Sequence, residues 1–140
     1  MGKVPLLIGG IEKTNQKTGR PLYNTAFLVE KGKTRAVARK ILLPTYDVFD
    51  VDRYFEAGDK VGSVRIAGRR VGVTICEDIW NDEDLWPERR YRIDPVRELA
   101  KKGMDLLINL SASPLNIGKE NVRYRLLAEV AKREKIPVIQ

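Results

Sequence analysis

Histidine is missing from all 140 residues, and cysteine occurs once. The first absence removes any Ser-His-Asp or Cys-His pair formed within the chain, and any zinc site of the Cys/His type. The second removes an internal disulfide framework. No apolar run approaches the ~18–20 residues that a membrane span needs. The N-terminal residues hold no apolar stretch long enough for a secretory signal. A cytoplasmic, reducing setting without a membrane partner is the expectation. Nucleotide loops are missing too. Gly32-Lys33-Thr34 has the shape of the end of a phosphate loop, but Phe27 stands where its first glycine belongs, and there is no G-x-G-x-x-G.

What is present is an ordinary globular balance: 43% hydrophobic and 32% charged residues. At this length the chain is one domain or part of a larger one. The net charge of +7 comes from 26 Lys and Arg against 19 Asp and Glu. These cations are scattered in pairs among acids, with no alternating aromatics to stack on bases. Nucleic acid is therefore not the expected partner.

The pattern along the chain alternates between strands and helices. Val4 to Gly9 reads as a buried strand stopping at Gly9-Gly10, and Lys13 to Arg20 as a loop. Leu22 to Glu30, a turn at Lys31-Gly32-Lys33, and Thr34 to Leu43 read as a hairpin closed by Pro44. Thr45 to Asp59 has no regular period. Ser63 to Ile66 and Val71 to Ile75 form a second hairpin around Gly68, with Gly72 to Ile75 deepest in a sheet. Asn81 to Ile93, which includes Trp86-Pro87, reads as an exposed loop. Asp94-Pro95 opens a helix and Gly103 closes it. Met104 to Leu110 is a strand. Lys119 to Lys135 is a helix whose apolar stripe is Val122, Leu126, Val130 and Ala131. Ile136 to Ile139 starts another strand, and the chain stops inside it, which predicts a fragment. The class is mixed α/β.

Cys76 ends the run Val71 to Ile75 and is followed by Glu77-Asp78. Ligands in α/β folds gather at the carboxyl ends of strands. A lone cysteine can equally be a small buried hydrophobe. As a nucleophile it would need a cation beside the thiolate, and Lys40 could supply one from the edge of an apolar strand. Both readings stay open on these residues alone.

Larger motifs carry a resemblance. Lys40 is followed by Leu43-Pro44-Thr45-Tyr46, Val48-Phe49-Asp50 and Arg53-Tyr54-Phe55. Next comes Gly72-Val73-Thr74-Ile75-Cys76-Glu77-Asp78-Ile79-Trp80, and then Asn109-Leu110-Ser111-Ala112-Ser113-Pro114. In this order, and over nearly the whole chain, they resemble the nitrilase-like carbon–nitrogen hydrolases, and within them the glutaminase domains of glutamine-dependent NAD synthetases. The resemblance implies an α-β-β-α sandwich, here only partly represented, with residues 1–140 as a single partial domain.

It also implies a Glu-Lys-Cys catalytic set, with Lys40 as its lysine and Cys76 as the nucleophile that attacks the side-chain amide of glutamine. Tyr46, Glu77, Ser113 and Lys119 fall at substrate-binding positions. Glu77 would meet the ammonium of glutamine, Lys119 its carboxylate, and Ser113 would offer a hydroxyl. The ammonia released would feed ATP-dependent NAD synthesis from deamido-NAD. No cofactor or metal is implied for this domain; ATP and Mg belong to a synthetase domain absent from these residues. A homo-oligomer is implied.

Two departures accompany the resemblance. The family's catalytic glutamate lies upstream of the segment matching Leu6 to Gly9, and Glu12 and Glu30 sit in a loop and at a hairpin end. A further glutamate often follows the lysine motif, where this chain has Val51 between Asp50 and Asp52. The chain alone is therefore expected to be inactive. The competing readings are an amidase for another small amide, and a non-catalytic scaffold.

Overall fold

A computed structural model describes residues 4–82, 84–86, 88, 90–114 and 116–140. Pro87 of the expected loop lies outside the described residues. The strands are β1 (Leu6–Lys13), β2 (Leu22–Glu30), β3 (Lys33–Arg39), β4 (Gly62–Ile66), β5 (Arg69–Ile75), β6 (Leu106–Leu110) and β7 (Val138–Ile139); the helices are α1 (Pro95–Lys101) and α2 (Lys119–Glu134). They form a three-stranded antiparallel sheet, β1-β2-β3, and a mixed four-stranded sheet, β4-β5-β6-β7. β4 runs antiparallel to β5, while β6 and β7 run parallel to it.

Alternation along the strands builds two cores. Ala26, Leu28 and Ala38 of the first sheet meet Val64, Val71, Val73 and Ile75 of the second. On the far side of the second sheet, Leu107 packs with Ile79 and with Val96 and Leu99 of α1 and Leu126 and Val130 of α2. β5 is covered on both faces, which is why it reads as a continuous apolar run. The order of layers is sheet, sheet, helices: three of the four layers expected of the sandwich. Among the described residues no helix is long and apolar enough to cross a membrane.

Several expectations need correction. β1 does not stop at Gly9-Gly10 but runs on to Lys13, pairing with β2 along its whole length. Glu12 is therefore a strand residue, not a loop residue. A Cβ at Gly10 would come within 3.0 Å of the Phe27 ring, so glycine here lets the aromatic side chain lie across β1. β3 ends at Arg39 instead of Leu43. The segment from Asn81 is not simply exposed: Asn81 and Asp82 are buried. The Asn81 amide donates to the carbonyls of Tyr91 and Ile93, folding the segment back on itself. On α2 the stripe narrows to Leu126 and Val130; Val122 is exposed.

A β-bulge in the first hairpin has the largest consequence for function. Leu28 pairs with Arg35 and Phe27 with Ala36, but Ala26 pairs with Ala38, leaving Val37 as the extra residue. One inserted residue inverts the facing of everything after it. Asn24 thus stands opposite Lys40, whose N–H donates to the Asn24 carbonyl at 2.8 Å. Without the bulge Arg39 would take that place. Arg39 instead lies on the other face of the sheet, paired with Glu12 at 2.7 Å and stacked over Tyr23.

The bulge is closely covered. A Cβ at Gly62 would fall against the Val37 carbonyl and the Ala38 side chain. Gly62→Ala should therefore force the two sheets apart and lower stability by about 1–3 kcal/mol; urea unfolding of the two chains measures it, and equal midpoints would contradict this packing. Leu6 (55%), Ile8 (40%) and Ile139 (53%) are exposed along outer strands. Open apolar edges invite pairing, so residues 1–140 alone should self-associate or bind a hydrophobic dye. A dye-silent monomer in gel filtration would contradict this.

Candidate active site

Cys76 stands at the end of β5, where the strand turns into a short 3₁₀ segment, Cys76–Ile79. Its φ is +48°, in the left-handed region that non-glycine residues seldom adopt. Three neighbours hold this turn. The Asn109 amide, on β6 directly beside Thr74, donates to the Cys76 carbonyl at 3.3 Å and to the Thr74 hydroxyl at 3.0 Å. The Asp78 carboxylate accepts from the Ile75 N–H at 3.0 Å. Lys40 Nζ donates to the Ile75 carbonyl at 3.1 Å. A strained conformation tied at three points is the kind of feature that accompanies a reacting group.

Cys76 opens onto a cleft of about 570 Å³ between the two sheets. Its lining comes from Gly9, Gly10, Ile11 and Asn24 of the first sheet, from Pro44, Phe49, Val51 and Phe55 of the segment after β3, and from Leu110, Ser111 and Ala112 at the end of β6, together with Lys40, Ile75 and Cys76. The structure thus brings the two proposed catalytic residues into one cavity, at the carboxyl ends of β5 and β6. Lys40 is only 3% exposed. Burial pulls its ammonium below the usual lysine range, while the charges of Asp78, Cys76 and Glu77 act to keep its proton on. Burial pushes the Asp78 carboxyl upward, against Lys40 and the backbone N–H donors.

A second pocket of about 310 Å³ adjoins the same turn and is lined by Tyr46, Glu77, Trp80, Asn81, Trp86, Glu88, Arg90 and Tyr91. Glu77 Oε1 accepts from the Tyr46 hydroxyl at 2.7 Å and from the Tyr91 hydroxyl at 3.2 Å. Burial first, and then the bond to Glu77, raise the Tyr46 phenol above its ordinary value, so it stays a donor. Arg90 lies over the Tyr46 ring at 3.8 Å, and Trp80 stacks on Trp86. Lys119 Nζ sits 6.0 Å from the Trp80 ring centre but is not among the residues that line either pocket. Ser113 lies in the segment after β6, two residues beyond the cleft residue Ser111.

The acids next to Val51 do not enter the cleft. Asp50 is exposed and pairs with Arg53, and Asp52 is exposed and pairs with Arg20. Among the described residues no carboxylate lines the cleft. Glu12, one residue past Ile11, faces the opposite side of the sheet and bonds Thr25 and Arg39. Among the described residues no cluster of acids, histidine or cysteine could hold a metal ion.

Sequence reasoning missed Tyr91, Asn24 and the tying roles of Asp78 and Asn109. Tyr91 sits in a segment that reads as exposed loop, and Asn24 in the middle of a strand. Asp78 and Asn109 are polar residues at strand ends, and nothing in their spacing says which backbone groups they will meet.

Comparisons with known proteins point to one family. The carbon–nitrogen hydrolase family matches residues 2–134. A glutamine-dependent NAD(+) synthetase of Synechocystis is 40% identical over 139 residues, covering 97% of this chain and 25% of that protein. One from Thermotoga maritima is 44% identical over 107 residues, covering 76% of this chain and 17% of that protein. The solved structure of the Acinetobacter baumannii glutamine-dependent NAD+ synthetase, in complex with ADP, superimposes with a TM-score of 0.80 at 31% identity, over 96% of this chain and 23% of that one. The chain spans about a quarter of the length of the first of these relatives. The match runs from β1 through α2 and takes in Lys40, Cys76 and both pockets, and the chain belongs to the carbon–nitrogen hydrolase family.

Proposed function

We propose that residues 1–140 carry the nucleophile, its lysine and the amino-acid pocket of a glutamine-hydrolysing site that supplies ammonia for NAD synthesis. The observation that carries this reading is the placement of Lys40 and Cys76 in one cleft, with Lys40 Nζ bonded to the residue preceding Cys76. The Cys76 thiolate attacks the side-chain amide carbon of glutamine. The tetrahedral intermediate collapses with loss of ammonia, leaving a glutamyl thioester, and water releases glutamate and restores the thiol. Lys40 supplies positive charge to the thiolate and to the developing oxyanion, and the Glu77 N–H is the second oxyanion donor. The general acid–base carboxylate that the resemblance implies is not among the described residues that line the cleft.

The second pocket supports an amino-acid amide over a simple one. Glu77 offers a buried carboxylate for the substrate ammonium, with Tyr46 beside it. Lys119 is the proposed partner of the substrate carboxylate and Ser113 a hydroxyl donor. ATP and Mg would act in a synthetase domain beyond these residues. A screen of glutamine against simple aliphatic amides, in a protein of the relatives' length carrying these residues, separates this reading from a general amidase. Absence of any amide hydrolysis there would favour a scaffold. Residues 1–140 alone should turn over glutamine at no more than a trace rate, since general acid–base catalysis contributes ~10²–10⁴-fold.

Because Cys76 is the sole cysteine, alkylation reads one site. Lys40→Met should slow iodoacetamide labelling at neutral pH in folded chain, by removing the cation beside the thiolate; equal rates would refute the pairing. The advantage conferred by Lys40 should be present at neutral pH and fade as pH rises through its lowered titration range. In the longer protein, Lys119→Ala should raise the glutamine KM more than it lowers kcat, because a carboxylate contact is held in ground and transition states alike. A loss of ~1.5–3 kcal/mol corresponds to about a tenfold to over a hundredfold drop in kcat/KM. A collapse of kcat at unchanged KM would remove Lys119 from substrate binding.

A further inference from the structure

Three backbone amides converge on one buried side chain. Asp78 Oδ1 accepts from the N–H of Ile41 at 3.0 Å and of Leu42 at 2.8 Å, and Oδ2 accepts from the N–H of Ile75 at 3.0 Å. Ile41 and Leu42 directly follow Lys40, and Ile75 directly precedes Cys76. One carboxylate therefore joins the segment bearing the lysine to the turn bearing the thiol, and it does so across two different sheets. Lys40 and Asp78 are each 3% exposed. An ammonium this far from water keeps its proton only with a counter-charge close by. The charges that act on Lys40 to hold its proton are those of Asp78, Cys76 and Glu77. Glu77 is bonded to the hydroxyls of Tyr46 and Tyr91 and lines the neighbouring pocket, and Cys76 carries charge only once its own proton has gone.

We propose that Asp78 is a positioning residue for the nucleophile: its carboxylate straps the Lys40 segment to the Cys76 turn and keeps Lys40 Nζ protonated, so that the ammonium is present when the thiolate forms. This deepens the proposed function and rests on its assignment of Cys76 and Lys40, but it concerns thiol chemistry and can be read without glutamine turnover. Its direction is unusual. Removing a negative charge near a thiol by itself favours the thiolate and speeds alkylation. If Asp78 works through Lys40, its removal discharges the lysine and slows alkylation instead.

Iodoacetamide labelling of the single cysteine tests it on the chain as it stands. Asp78→Asn keeps the size of the side chain and should react at least tenfold more slowly at pH 7 in chain shown by circular dichroism to be folded. In a Lys40→Met background the same change should bring no further slowing, because the group through which Asp78 acts is gone. A folded Asp78→Asn chain that reacts as fast as wild type or faster overturns the proposal, as does additional slowing in the double variant. Should Asp78→Asn fail to fold, the wild-type chain decides: the ¹³Cε shift of Lys40 must report an ammonium at pH 7, and a neutral amine there overturns it. A missing glutaminase activity alongside these results would count against the substrate and leave the strap in place.

Discussion

The contact between the Asp78 side-chain oxygens and the backbone amides of Ile41, Leu42 and Ile75 is the point on which the site depends. It lies where the end of β3 meets the end of β5, at the margin of the core between the two sheets. Apolar packing brings these sheets together through Ala26, Leu28, Ala38, Val64, Val71 and Val73. Apolar contacts, however, are not directional, and they would tolerate small slides of one sheet over the other. Hydrogen bonds to a fixed carboxylate do not. Placing Lys40 and Asp78 out of water carries a desolvation cost that a pair of hydrophobic residues would avoid. What the fold gains in return is a lysine and a thiol held in one geometry.

The β-bulge at Val37 is the second constraint. It changes no composition and buries little, yet it selects which of two adjacent cations faces the thiol. Arg39 goes to the outer face, where Glu12 and Tyr23 receive it. Lys40 goes to the cleft. The difference matters chemically. An arginine is charged under all ordinary conditions, whereas a buried lysine has a proton whose retention depends on its surroundings. The close approach of Gly62 to the bulge, which leaves no room for a side chain, shows that the second sheet is shaped to cover it.

Around this centre the two pockets divide the chemistry. The cleft holding Cys76 is walled mostly by glycines and apolar residues, with Asn24 and Ser111 among them. The adjoining pocket is aromatic and charged, with Glu77 held by two tyrosine hydroxyls. Cys76 and Glu77 are consecutive residues, and the turn at positive φ lets them serve different cavities. Asn109 supports the turn from β6 by taking the Cys76 carbonyl.

Much of this was legible in the residues themselves. The apolar run of β5, the Asp94-Pro95 start of α1 with its N-cap bonds, the closing Gly103 and the extent of β2 follow from local periodicity and backbone preference, which act within a few residues. Cys76 with its flanking acids, and Lys40 at its strand edge, stood out once the motifs were taken in order. The tertiary structure alone decided the rest. The β1 strand continues through Gly9-Gly10 because β2 pairs with it, not because its own residues demand it. The Asn81 segment folds inward because one amide reaches carbonyls ten and twelve residues away. Val51 lines the cleft while Asp50 and Asp52 turn out to arginines. Above all, whether Lys40 or Arg39 meets the thiol depends on one unpaired residue in a hairpin and on a carboxylate more than thirty residues distant. Local sequence sets which conformations a segment can adopt. Hydrogen bonds and charges between distant segments choose among them, and those contacts exist only once the sheets have packed.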